Sequence, residues 1–246
     1  MNYGWKGIGL PDQRDEQFSY KGIFKSIEIP PVKYLICPPV ADQGDLGACV
    51  FFALSYALEA MQLETYEEIP INPSQLFAYY RYRELYGNIF LDDGAFIRDA
   101  IKTYATGVCL EEDWPYVLAN FSDFPGKDNY VKAEAHKIKS YHAIYTQEDM
   151  IQCLASGFGF VGGISCYESF DSSMTENTGI VNIPGMNEKL LGGHALYFGG
   201  GYDLHKGMIK FQNSYGPDWG EKGFGWISIQ YLTNPRLAGD FWTVRS

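Results

Sequence analysis

The chain has 246 residues, 46% hydrophobic and 20% charged, the balance of a folded globular protein with enough chain for a substantial core. Its net charge of −11 argues against a nucleic-acid or anionic-membrane partner, since either needs clustered Lys and Arg. No apolar run approaches the roughly 20 residues of a membrane span, and the opening stretch MNYGWKGIGLPDQRD has no apolar secretion signal.

Residues 1–40 lack periodicity and carry Pro11, Pro30, Pro31, Pro38 and Pro39, so residues 1–36 are expected to form an extended arm ahead of a domain at 37–246. Residues 49–62, free of Gly and Pro and apolar on nearly every face, predict a helix through the middle of a core. Helices are also predicted from Asn72-Pro73-Ser74 to Leu85, capped by Ser74 or Asn72, and over Ala95–Thr106, stopped by Gly107. The Pro-, Asn- and Gly-rich stretch at 119–130 reads as a crossing between two lobes.

Beyond residue 135 the pattern changes to strands, at His136–Tyr145, Phe158–Tyr167, Ala195–Gly201, Met208–Asn213 and Gly225–Gln230, with a short helix from Gln147. Helices first and strands second define an α+β fold of two lobes, about 40–130 and about 131–246.

Five cysteines, at 37, 49, 109, 153 and 166, leave at least one unpaired, as suits a reducing compartment or a reactive thiol. Cys153 and Cys166 lie in apolar stretches and read as structural; whether Cys37 and Cys109 pair stays open. Cys49 stands at the first turn of the apolar helix, where the macrodipole and free N–H groups favour a thiolate and should lower its pKa below about 8.5. A lone cysteine at a helix start is usually structural. His194, in GGHALYF at 192–198, could equally be a satisfied core histidine, and the segment NSYGPDWGEKGFG at 213–225 could be a plain hairpin.

Taken together, three segments change the reading. QGDLGACV at 43–50, His194-Ala195, and NSYGPDWGEKGF from Asn213 to Phe224 stand in order, the histidine and asparagine 145 and 164 residues after Cys49. The chain thereby resembles the papain and cathepsin family of cysteine peptidases over about residues 37–246, with weaker matches at DDGAF (92–96) and WPY (114–116).

The resemblance implies a papain-like fold, a helical lobe and a β-barrel-like lobe with the site in the cleft between them. It implies an endopeptidase acting on a peptide or protein substrate without cofactor or metal. Cys49 would be the nucleophile, His194 its acid and base, Asn213 the residue orienting His194, and Gln43 with the Cys49 N–H the oxyanion donors. Trp219 would pack beside the histidine, and Gly94 would offer backbone groups to an extended substrate. Ala95, Phe96, Ile164 and Ala195 would line the pocket for the second residue before the scissile bond.

The chain departs from the family pattern in several places. The disulfide of secreted members would join positions 46 and 91, both leucine here, which suggests a packed contact and a reducing compartment. Val50 and Tyr215 replace family tryptophans, and Asp93 stands where a glycine is usual. An arm of about 40 residues is too short for the family's helical pro-segment and resembles a prokaryotic-type subgroup; it would either restrain activity near the cleft or strap the back of the lobes. A catalytically silent papain-like binding protein is the competing function, and a redox protein is disfavoured because Cys49 has no C-x-x-C partner.

Overall fold

The computed structural model describes residues 3–10, 12, 15, 28–65 and 71–245. Much of the expected arm, residues 1, 2, 11, 13, 14 and 16–27, lies outside the described residues.

Helix α1 spans Cys49–Thr65, three residues past the sequence expectation. Its side chains from Cys49 to Met61 are buried all round, as an almost wholly apolar helix requires. Helix α2 covers Gln75–Leu85, with Ser74 as its N-cap accepting the Phe77 N–H. Helix α3 covers Ile97–Thr106, ending at Gly107. In and around the stretch expected as a crossing between lobes, 119–130, lie a 3-10 turn at Leu118–Asn120 and helix α4 at Lys127–Ala133.

The second half supplies seven of the eight strands. Strand β1 is Val32–Tyr34, β2 Ser140–Ile144, β3 Phe160–Tyr167, β4 Ile180–Val181 and β5 Leu190–Asp203. Then follow β6 Met208–Gln212, β7 Phe224–Ser228 and β8 Ala238–Arg245. Helices α5 (Gln147–Ala155), α6 (Ser173–Thr178) and α7 (Ile229–Leu232) connect them. The sheet order is β2-β8-β3-β5-β6-β7-β4, with β1 paired to β5. This order is open, so the expected barrel-like closure of the second lobe is corrected to an open sheet among the described residues.

The sheet separates two hydrophobic clusters. Alternate residues of β5 face opposite sides, Ala195 and Tyr197 towards the cluster around α1, Leu196 and Phe198 towards the other. The same alternation on β3 corrects one expectation. Ile164 packs with Phe160 and Phe198 in the second cluster, away from α1 and the cleft, while its neighbour Gly163 faces the cleft.

All five cysteines are free thiols. The expected Leu46–Leu91 packing is also corrected, because Leu91 is 58% exposed. The two segments are joined instead by Asp92, whose two carboxylate oxygens each accept the Gly47 N–H at 3.0 Å while Oδ1 takes the Tyr79 hydroxyl at 2.7 Å. Among the described residues, no helix is long and apolar enough to cross a membrane.

Arg83, fully buried on α2, fixes the chain that leads to this clamp. Its guanidinium donates to the carbonyls of Ile89 and Phe121 and lies 3.5 Å from the Phe121 ring centroid. Arg83→Met would leave both carbonyls without these donors and is expected to cost on the order of 2–4 kcal/mol. A lowered urea midpoint at unchanged slope would register the loss.

Candidate active site

The site is assembled where α1 begins, against β5 and the turn after β6. Cys49 is the first residue of α1, and its Sγ accepts the Ala195 N–H at 3.4 Å, which sets the thiol beside His194. His194 Nε2 lies 2.8 Å from Asn213 Oδ1, and the Ser214 N–H also points at that oxygen, at 2.8 Å. Two N–H donors converging on one atom identify it as the amide oxygen, so Nε2 carries the ring proton and Nδ1 is the basic nitrogen.

Aromatic rings enclose the imidazole. Tyr215 stacks on it at 4.7 Å and 20°, with its hydroxyl 3.4 Å from Nδ1, and Phe170 and Tyr3 approach at 5.8 and 6.2 Å. Trp219, expected beside the histidine, stands one ring further out, against Tyr215, Phe170 and Phe211. The ring that packs directly on the imidazole is Tyr215, at the position of a family tryptophan.

Gln43 sits on the other side of the thiol. Ser214 Oγ donates to Gln43 Oε1 at 2.6 Å, the Gln43 N–H donates to Ser214 O, and Tyr116 Oη donates to Gln43 O. With its oxygen held, the amide nitrogen is turned towards the Leu46–Cys49 turn, where it donates to Leu46 O at 2.7 Å. Ser214 and Asp92 stand inside the segments NSYGPDWGEKGF and DDGAF, but neither is assigned a role from the sequence.

The N-terminal arm runs through this cleft. The Gly4 carbonyl accepts the Ala95 N–H at 2.7 Å, the Lys6 N–H donates to Ala95 O at 3.0 Å, and the Trp5 N–H donates to Gly193 O at 2.9 Å. The arm therefore pairs parallel to the 94–96 segment, centred on Ala95. Gly94 was expected to offer these backbone groups, but its own N–H goes to Tyr79 Oη at 3.1 Å. Gly94 matters as a glycine: at φ +74 a Cβ there would lie 2.1 Å from Gly4 O. Side chains fasten the arm as well, Tyr3 to Asp171 at 2.6 Å, Lys6 to Asp93 at 2.7 Å and Arg98 to Asp15 at 2.9 Å. Phe96 lies beneath the Lys6 ammonium, 6.0 Å from ring centroid to nitrogen.

Burial beneath the arm reverses the expected ionisation. Desolvation pushes the Cys49 thiol up to about 11, against hydrogen bonds from the amides of Ala195, Gly4, Val50 and Cys49 itself. It pushes His194 down to about 4, against the Asn213 bond. The thiolate expected at the helix start is thus overruled by the loss of water, and the covered site holds a neutral thiol and a neutral imidazole.

A buried thiol, a tautomer-fixed imidazole and an oriented amide beside a backbone-pairing rim define an acyl-transfer site of the cysteine-peptidase class. The profile described as papain family cysteine protease matches residues 31–236, and the chain belongs to that family. It is 36% identical over 214 residues to an uncharacterised peptidase C1-like protein of Acanthamoeba polyphaga mimivirus, covering 83% of this chain and 68% of that one. Among solved structures it is similar to xylellain, a cysteine protease from Xylella fastidiosa, with 33% identity, TM-score 0.90, and coverage of 99% of this chain and 96% of that one. A digestive procathepsin of the L type from Tenebrio molitor larval midgut shares the fold at TM-score 0.76 and 19% identity, covering 99% of this chain and 78% of that one. The chain is a cysteine peptidase with the papain-like α+β fold.

The sign of the His194 shift sets a pH dependence. Between pH 6.5 and about 4 the unfolded chain takes up a proton that the folded imidazole refuses, so this group withdraws stability as pH falls through that window. Ring nitrogen NMR of the full chain is expected to show His194 as the Nε2–H tautomer, unprotonated until about pH 4. Titration near the ordinary value would contradict the covered site.

Proposed function

We propose that Cys49 is the nucleophile of this peptidase, that His194 Nδ1 takes its proton and returns it to the leaving amine, and that Asn213 holds the imidazole in the tautomer this requires. The Gln43 amide and the Cys49 N–H donate to the oxyanion, and Ser214 keeps the Gln43 amide turned the right way. The thiolate attacks the peptide carbonyl, the C–N bond breaks as His194 protonates the amine, and water then hydrolyses the thioester. The observation that carries this reading is the convergence of His194 Nε2 and Ser214 N on Asn213 Oδ1 beside the Cys49 thiol.

We further propose that the arm restrains the enzyme. It offers the thiol the N–H of Gly4 and pairs its Gly4 carbonyl with the Ala95 N–H, so the arm occupies the backbone-pairing rim that a substrate would use. The arm also removes the water that would stabilise a thiolate–imidazolium pair. The Asp92 clamp needs no oxidant, which supports a reducing compartment for the enzyme.

Gly4 is the place to test restraint, because a Cβ there would lie 1.9 Å from the backbone oxygen of Gly47. In the full chain, Gly4→Val is expected to raise both alkylation of Cys49 at pH 7 and hydrolysis of a fluorogenic peptide by about tenfold or more, through recovery of an ordinary thiol pKa. An unchanged rate in a folded variant would discard the restraint. In that background Gln43→Ala should lower kcat on the order of 10²–10³-fold. Failure of a thiol-reactive epoxide to label Cys49 in Gly4→Val would favour the silent binding protein.

A further inference from the structure

The Trp5 side chain fills a pocket that is built more closely than a simple strap needs. Its floor on β3 is Gly163, where a Cβ would lie 2.1 Å from the indole, and on β5 Gly193 approaches to 2.9 Å of the ring on the same test. Gly163 pairs with Ala195, and Trp5 itself bridges Ala95, two of the residues assigned from the sequence to the pocket for the second residue before the scissile bond. Ala195, the partner of Gly163, also donates its N–H to Cys49 Sγ, which places the indole site near the nucleophile.

Its polar end is Asp240. The Trp5 indole N–H donates to Asp240 Oδ2 at 3.3 Å, while Oδ1 takes the Trp242 indole N–H at 2.7 Å. Asp240 holds φ +60, one of two non-glycine residues in the left-handed region among those described. It lies where the β3–β8 register shifts, with one extra residue on β8 between the Trp242–Val161 and Gly239–Gly163 pairs. A bulge of this kind re-aims a side chain, and an unusual backbone conformation kept beside a reactive site needs a reason.

We propose that Asp240 determines the substrate preference of this peptidase by selecting a tryptophan side chain in the pocket that Trp5 fills, recognised through its indole N–H. The proposal rests on the assignment of Cys49 and His194 as the reacting pair. The arm occupies this pocket as a mimic of the preferred side chain, although its backbone pairs with Ala95 in the parallel sense.

Charge separates tryptophan from arginine, the other flat donor. Asp240, Arg98 and Asp15 line one cavity of about 440 Å³. When the arm leaves, Asp15 leaves with it, and Arg98 loses its 2.9 Å partner, keeps Asp99 at 3.9 Å and still lines the cavity that Asp240 lines. The freed pocket then carries a guanidinium on the wall it shares with Asp240, which disfavours a second cation relative to a neutral N–H donor. Burial also holds the Asp240 carboxyl above the ordinary carboxylate range, against the Trp242, Trp5 and Ile97 N–H groups and Arg98.

The test has two readouts, both on the full chain. Trp5→Ala empties the pocket, and calorimetric titration compares indole with benzofuran, its isostere lacking the N–H. Indole is expected to bind about tenfold to a hundredfold more tightly, the range of one hydrogen bond to a charged group. Added Asp240→Asn or Asp240→Gly, both compatible with φ +60, should bring the ratio to about one. In the second readout, kcat/KM is compared in the Gly4→Val/Trp5→Ala chain, whose arm is displaced from the cleft, for fluorogenic peptides carrying tryptophan, benzothienylalanine or arginine two residues before the scissile bond. Tryptophan should lead both by about tenfold, and the lead should vanish in the two Asp240 variants. Equal binding of indole and benzofuran, a lead for arginine, or a ratio untouched by Asp240 substitution would overturn the proposal. N–H-selective indole binding without turnover of any peptide would overturn the substrate claim and count against the peptidase assignment, while leaving the pocket's chemistry as measured.

Discussion

The bond from His194 Nε2 to Asn213 Oδ1 is the constraint on which the rest of the site depends. It ties β5 to the turn after β6, and its acceptor is fixed by the backbone N–H of Ser214. The same Ser214 reaches the opposite lobe, its hydroxyl on Gln43 Oε1 and its carbonyl on the Gln43 N–H. Two consecutive residues therefore set both the proton acceptor and the oxyanion amide relative to the start of α1. A displacement of the 213–214 turn would move both groups together, which keeps their mutual geometry more secure than two independent supports could.

Desolvation acts on that fixed geometry as a switch on charge. The thiol and imidazole need water or fixed dipoles to exist as an ion pair; the arm covers the site and supplies only the Gly4 N–H, which burial outweighs. Burial pushes the thiol up to about 11 and the imidazole down to about 4, so it disfavours the charged form of each partner. The helix N-terminus is still present under Cys49, but partial charges of a helix end cannot offset complete burial. The chemistry of the site is thus set as much by what covers it as by which residues form it.

Much of this was legible in the sequence because it was encoded locally. An apolar run without Gly or Pro marked α1, Ser74 marked the α2 cap, and Cys49, His194, Asn213 and Gln43 stood in recognisable segments. What escaped depends on long-range pairing. Strand β8 and the open sheet follow from partners more than 70 residues away, and Ile164 was turned the wrong way because one residue of register decides which face of a strand meets the cleft. Trp5, Ser214, Asp92 and Asp240 act through contacts across the fold. No local period or spacing distinguishes them from ordinary surface and turn residues.

The Asp92 clamp shows why the missing crosslink leaves no gap. A disulfide at positions 46 and 91 would hold the nucleophile's turn to the rim of the cleft; here the next residue along in each segment does so, Gly47 through its N–H and Asp92 through its carboxylate. The link continues, since the Tyr79 hydroxyl donates to Asp92 and accepts from the Gly94 N–H. One carboxylate thereby fixes the turn before Cys49, and through Tyr79 the glycine next to the Ala95 groups that pair with an extended chain. A disulfide would join two points; this network joins three, and its strength depends on shielding from water rather than on redox state. With Leu91 free of any packing duty, its exposure ceases to be an anomaly, because the neighbouring aspartate holds the two segments together.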